Sequence, residues 1–488
     1  MTYNYSVSRM AALCRQRNET VMASYAYGGV NLDTFVLLQA KKVIHNRQVR
    51  ALIEADDYEE SVLSLTKELL GDDAAKEMKT SLEKKVICSA DHHGSLYCSQ
   101  FLQGDMLFAL LLEKLGEKNP AVPILAAGQV ELENSTYSRG ICAYSLRDNK
   151  QFIPIFPAKY SVQLASHAEP VSQEMVERFK KRLGDAKVTE IQKRTLNEIC
   201  TDIYENDEIR NAKDFSSQTT LIGQKLIPRL FTDKAPMFTY LEMETVVQPL
   251  LLKELEDESS IVYKFLYDRN IREKVVREKF EDGLSLGDLL FRAADEKGRK
   301  IMLSLNEDGT LTGRDWRKEP VSFSTKKDDL TALFKEKKVF PGVFTEALIL
   351  FFERGITWMG GMFQASYLPK WQEMLTRVLE KSELTKEAEV ISAYDCTGYI
   401  CGPMFLLHGG DDFATTTGPV ELWGNPISFE RVRELSMKTG LWDAHMIGLS
   451  EMYFDLVLRD ERESEWYRKI AEEVFRIYPG NVVTNERR

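Results

Sequence analysis

No two cysteines in this chain stand at CxxC spacing. The seven present, Cys14, Cys88, Cys98, Cys142, Cys200, Cys396 and Cys401, are odd in number and scattered. That excludes a zinc ribbon and a disulfide framework, and predicts reduced thiols in a cytoplasmic protein. An excess of positive charge is missing too: 64 Lys and Arg against 75 Asp and Glu leave a formal net charge of -11. A nucleic-acid surface needs a basic footprint, so no nucleic-acid partner is expected. Long apolar runs are absent as well. The central apolar helix carries no uninterrupted run longer than Met106 to Leu112, far short of the ~20 residues that cross a membrane. The opening MTYNYSVSRMAALCRQRNE has no basic region leading into an apolar core and a cleavage site, so no secretion signal is expected. P-loop, GxGxxG, GxSxG, HExxH and kinase signatures are all lacking, which disfavours a nucleotide cofactor.

What is there reads as a globular chain. Of its 488 residues 43% are hydrophobic and 28% charged, enough apolar material for a substantial core without staples. The expected fold class is mixed α/β, with α+β as the variant. Residues 1–85 read as a helical N-terminal segment. Residues 86–168 read as an α/β core. Residues 169–320 read as a mainly helical insertion ending in a hairpin, with Asp308-Gly309 at its turn and Arg314–Pro320 as a linker. Residues 321–488 read as a C-terminal α/β part that completes the cleft. Ser172 reads as the N-cap of a helix that runs to Leu183.

Histidine is scarce, with 6 in the chain, and two of them are adjacent. Val86 to Leu115 reads as a short buried strand, a polar loop holding Asp91, His92, His93, Gly94 and Ser95, and a long apolar helix from Leu96 to Leu115. In open α/β folds, ligands sit beyond the carboxyl ends of strands, and this loop takes that position. Imidazole and carboxylate suit Zn, Fe or Mn, and either histidine is also a candidate acid/base. Neighbours on an extended chain point to opposite faces, so the pair shares one ion only if the loop turns. Gln100, Gln103, Gly104 and Asp105 interrupt an otherwise apolar helix and require partners or a cavity. The tripeptide resembles that of the DHH phosphoesterases. The metal motif that family carries upstream, His-x-x-x-Asp-x-Asp, is missing from residues 1–85, whose single histidine is His45, and the resemblance ends there.

A second cluster runs from His408 through Gly409 and Gly410 to Asp411 and Asp412. The turn Asn134 to Gly140 offers Asn134, Ser135, Thr136, Tyr137 and Arg139, and Lys159 follows. Arg grips carboxylates and phosphates bidentately. Gly360 and Gly361 with Gln364 and Tyr367 suggest a pocket wall. Cys396 and Cys401, His445 and Cys98 read as packed residues. The expectation is an enzyme acting on a small polar or anionic metabolite, with hydrolase, lyase or transferase chemistry. Asp91, His92, His93 and His408 are its expected catalytic residues. Asn134, Tyr137, Arg139, Lys159 and Gln364 are expected to bind substrate, and Asp91, His93 and His408 to hold a divalent metal. The alternative is a non-catalytic scaffold with a structural His pair, in which residues near 91, 137 and 408 lie apart. No oligomeric state is implied.

Overall fold

The computed structural model describes residues 3–18, 27–134, 137, 139–145 and 149–485. The chain is a mixed α/β protein built round five parallel strands. These are β1 (Val86–Cys88), β2 (Ala121–Ala126), β3 (Met237–Glu242), β4 (Thr357–Gly361) and β5 (Tyr399–Cys401), in the spatial order β5-β4-β1-β2-β3. All four pairings are parallel. The order therefore runs outward from β1 in both directions and reverses between β1 and β4. Its strands are drawn from the 86–168, 169–320 and 321–488 segments alike.

Both faces of this sheet are covered, which is why its strands read as short apolar runs without alternation. Along β1 to β4, alternate side chains nevertheless divide between two cores. Val86, Cys88, Val122, Ile124, Phe238, Tyr240 and Met359 enter one core. That core is closed by helices α1 (Leu32–Asn46), α4 (Ser99–Lys114) and α5 (Phe215–Leu226). Ile87, Ala121, Leu125, Leu241 and Trp358 enter the other. It is closed by α2 (Asp56–Leu70), α3 (Asp72–Leu82), α6 (Met243–Glu254) and α7 (Gln364–Lys381).

Three sequence expectations change. The apolar helix starts at Ser99, not Leu96, because two turns at 93–94 and 96–97 precede it. The segment 169–320, read as mainly helical up to its hairpin, also contains β3. Its residues MFTYLE are buried on both faces and so show no strand periodicity. Arg314–Pro320 is no linker but the tight connection of a hairpin, with Arg314 paired to Pro320. The Asp308-Gly309 turn and the Ser172 cap stand as read: Leu305 pairs with Leu311, Gly309 has φ +84°, and the Ser172 side chain accepts from the Met175 amide.

Besides a two-stranded hairpin, Gly140–Ser145 with Asn149–Pro154, two further sheets lie outside the central one. An antiparallel sheet orders Val339–Pro341, Phe291–Ala294, Lys300–Leu305, Thr310–Arg314 and Pro320–Ser324. In the other, Leu407–Gly409 lies between Ala414–Thr416 and Val482–Asn485. Among the described residues, no helix is long and apolar enough to cross a membrane.

Candidate functional site at the carboxyl edge of the sheet

The carboxyl ends of β1, β2, β3 and β4 gather the polar side chains of the core. β1 pairs with β4 until Cys88, and Ser89 and Ala90 then leave the sheet. Pairing resumes beyond them: the Ala127 amide donates to the Asp91 carbonyl and the His93 amide to the Ala127 carbonyl, both at 2.9 Å. Gly94 then turns the chain at φ +92°, where an added Cβ meets the Phe215 ring at 2.8 Å. Only glycine accepts that conformation and that approach without strain.

The loop sends its three consecutive polar side chains to three different places. Asp91 turns inward beneath the sheet edge. Its carboxylate, the Cys88 thiol and the Asp105 carboxylate of α4 place ligand atoms within 4.8 Å of one another, all buried. The thiol donates to Asp105 Oδ1 at 3.3 Å, and Tyr240 Oη of β3 donates to Oδ2. Asp91 Oδ1 is buried with no hydrogen-bond partner. Burial, reinforced by Asp105, pushes the Asp91 carboxyl well above its ordinary range. Burial likewise raises Asp105 to about 7, against the pull of its two donors.

His92 is half-buried, edge-on to Phe101 at 5.5 Å, and hydrogen-bonded to the Asn134 side chain. Burial lowers it to about 4. His93 is buried, and its Nε2 lies 3.1 Å from the Ser216 carbonyl. A carbonyl only accepts, so Nε2 carries the proton. Nδ1 then presents a lone pair that no hydrogen-bond donor meets. Burial holds this ring neutral, against the pull of Glu242.

Beyond His93, at the end of β3, a cleft is lined by Ser166, His167, Glu242, Glu244, Thr245 and Lys337, among others. Its free space is about 20 Å³, room for one water molecule. Ser216 Oγ donates to Glu242, Thr245 Oγ1 donates to it at 2.8 Å, and Lys337 Nζ lies 3.2 Å away. Burial opposes ionisation of Glu242, but Lys337, His93 and the two hydroxyls outweigh it and hold the carboxyl below its usual value. Glu244, two residues on, accepts the amides of Gly128 and Gln129 at 2.8 and 2.7 Å. Burial, then Glu242, raises it to about 7. His167 Nε2 lies 2.8 Å from the Lys337 carbonyl and Nδ1 lies 2.9 Å from Ser166 Oγ. The carbonyl again fixes the proton on Nε2, so the Ser166 hydroxyl donates to Nδ1. A hydroxyl, a base and an orienting carbonyl thus stand in line.

The other expected residues fall elsewhere. His408 lies in the outer three-stranded sheet, with Nδ1 2.7 Å from Thr484 Oγ1 and its value lowered to about 4 by burial. Among the described residues the ligand atoms that converge are those of Cys88, Asp91 and Asp105, and of the expected metal set Asp91, His93 and His408 only Asp91 belongs to that group. Asp411 and Asp412 are exposed in a turn closed by Gly410 and Phe413. Asn134 holds its turn together, donating to the Glu131 carbonyl and accepting the Tyr137 amide. Tyr137 is buried against Phe215. Arg139 is engaged by Glu133 at 2.6 Å and by the Phe156 carbonyl. Lys159 is exposed over the Tyr160 ring. Ser135 and Thr136 lie outside the described residues. Asp91, Tyr137 and His408 do not line the cleft.

Gln364 does reach the sheet edge, accepting from Ser89 Oγ at 3.1 Å. A Cβ on Gly360 would overlap its amide oxygen, at 1.4 Å, so Gly360 makes room for it. Gln103 is saturated by the 405–417 segment, accepting the Phe405 and Leu406 amides and donating to the Thr417 carbonyl. Cys98 is raised to about 12 by burial, a packed thiol. His445 packs against the Tyr399 ring, with Nε2 3.3 Å from its Oη.

Sequence reasoning missed Ser166, His167, Glu242, Glu244, Lys337 and the partners of Asp91. The one legible signal was Glu242-x-Glu244 closing the apolar run MFTYL. No protein-family model matches this sequence, and no curated protein matches it either, so its chemistry is read from its own side chains.

Proposed function

We propose that the protein is a soluble cytoplasmic enzyme acting on a small polar or anionic metabolite, with its acid–base centre in the cleft at the end of β3. The observation that carries this reading is the Ser166–His167 pair, oriented by the Lys337 carbonyl and set beside the Glu242–Lys337 ion pair. All seven cysteines are unpaired and buried, which favours a reducing compartment.

The chemistry follows from proton positions. His167 is neutral, with a basic Nδ1 already accepting from a hydroxyl. It takes the proton from Ser166, or from a water in the same place, as that oxygen attacks an acyl or phosphoryl centre. The protonated ring then returns the proton to the leaving group. Lys337 Nζ, half-exposed at the mouth, attracts the negative charge of the substrate and of the developing oxyanion. Glu244, raised to about 7, holds or releases a proton near neutral pH. The narrow cleft excludes bulk water and admits one small group at a time.

The test is a panel of small aryl esters, phosphate esters and amides, run on wild type, Ser166→Ala, His167→Gln and Lys337→Met. Removing His167 is expected to lower kcat about 10²–10⁴-fold. Lys337→Met is expected to raise KM for anionic substrates more than for neutral ones. Turnover that survives unchanged in folded Ser166→Ala and His167→Gln would sink the assignment.

A further inference from the structure

We infer that Cys88, Asp91 and Asp105 form a binding site for one divalent transition-metal ion, with zinc the best fit. The site is separate from the cleft and does not rest on the function proposed for it. It lies beneath the point where the strand order reverses between β1 and β4, between the sheet and α4.

Three observations carry the inference. First, the set is a thiol and two carboxylates from three chain positions, with ligand atoms within 4.8 Å of one another. A tetrahedral zinc with bonds of about 2.3 Å to sulfur and 2.0–2.2 Å to oxygen has sulfur-to-oxygen edges of roughly 3.5 Å. The Cys88–Asp105 edge, at 3.3 Å, is already there. Second, no Lys, Arg or His among the described residues pairs with either carboxylate. By contrast, the buried Glu451 has Lys150 against it and the buried Glu254 has Arg354. Two buried acids without a counter-charge require protons or a cation. Third, Asp91 is 2% exposed, and its Oδ1 has no hydrogen-bond partner inside the cluster. A buried acceptor left so is costly, and a metal bond removes that cost.

The donor set decides the ion. Thiolate with carboxylate selects zinc or ferrous iron over magnesium or calcium, which take oxygen alone. Three protein ligands leave a fourth position, as in catalytic rather than structural zinc sites. Tyr240 Oη, hydrogen-bonded to Asp105, stands beside it as an outer partner. Binding displaces the Cys88 thiol proton and any carboxyl proton to solvent.

The test uses the full chain, stripped with chelator and titrated with Zn²⁺ and, separately, Co²⁺. Wild type is expected to bind one equivalent, to melt at higher temperature with Zn²⁺, and to show a cobalt–thiolate charge-transfer band. Cys88→Ser should abolish the band. Asp91→Asn and Asp105→Asn should each weaken zinc binding more than about 100-fold, beyond the loss of an outer-shell partner. Cys401→Ser should leave stoichiometry and band intact. The inference is overturned if wild type binds no metal, if its cobalt form lacks the thiolate band, or if Cys88→Ser keeps it. A variant that fails to fold leaves the wild-type band and melting shift to decide. Absence of both would mean that the two acids hold protons instead.

Discussion

Two groups of buried carboxylates lie along the same sheet edge, and their environments set them apart. At the end of β3, Glu242 has an ammonium and two hydroxyl donors, and stays ionised. Under the β1–β4 reversal, Asp91 and Asp105 have a thiol, a phenol and each other, and are held toward the protonated form. Burial is nearly complete at both. The difference shows that burial does not fix the charge of a carboxyl group; its partners do. The loop Asp91–Gly94 serves both groups, since Asp91 enters one and His93 approaches the other.

The widest break in the comparison is at that loop. Gly94→Ala places a side chain at φ +92° and 2.8 Å from the Phe215 ring. Strain and overpacking together are expected to cost about 4 kcal/mol. Urea melts should show the loss, with zinc uptake and cleft activity both diminished. A cost under about 1 kcal/mol would mean that the loop has another conformation available.

A pH series separates the charge states within the cleft. Glu244 has a folded value raised from 4.5 to about 7, so the folded state binds its proton more tightly than the unfolded one. Its contribution is intact below about pH 4.5 and is lost as pH rises through about 7. The loss is on the order of 3 kcal/mol. Glu242 runs the other way: its value is lowered, so its contribution is present above the unfolded value and disappears as acid protonates it. Glu244→Gln should therefore flatten the decline between pH 5 and 8, whatever its baseline cost. Equal slopes for wild type and variant would contradict the assigned charge state.

Isosteric neutralisation gives the smaller contrasts. Glu242→Gln loses charge-assisted bonds to Lys337 and two hydroxyls, and is expected to cost about 2 kcal/mol at pH 7. Asp91→Asn, measured in chelator, removes no ion pair and is expected to stay within about 0.5 kcal/mol of wild type. Similar losses at both positions would erase the distinction between the two groups.

Much of this organisation was legible in the residues. Strand β1, the polar loop after it and the apolar helix follow from VICSADHHG and from the apolar run of α4. The polar interruptions Gln103 and Asp105 were legible as groups needing partners, and each has them. The hairpin at Asp308-Gly309 was legible because Gly309 supplies the positive φ. The strand Met237–Glu242 was not, since a strand buried on both faces carries no period to read. The partners of His93 were equally hidden, because Ser216, Glu242 and Lys337 lie 123 to 244 residues further along.

The sequence by itself determined an α/β protein with reduced cysteines, few histidines and a polar loop after its first core strand. These follow from local patterns, which composition and spacing record directly. Only the tertiary structure decided that Asp91 joins Cys88 and Asp105, that His408 belongs to another sheet, and that His167 meets the Lys337 carbonyl. Such meetings depend on strand order and on how loops turn at the sheet edge, and both are set by packing between segments far apart in the chain.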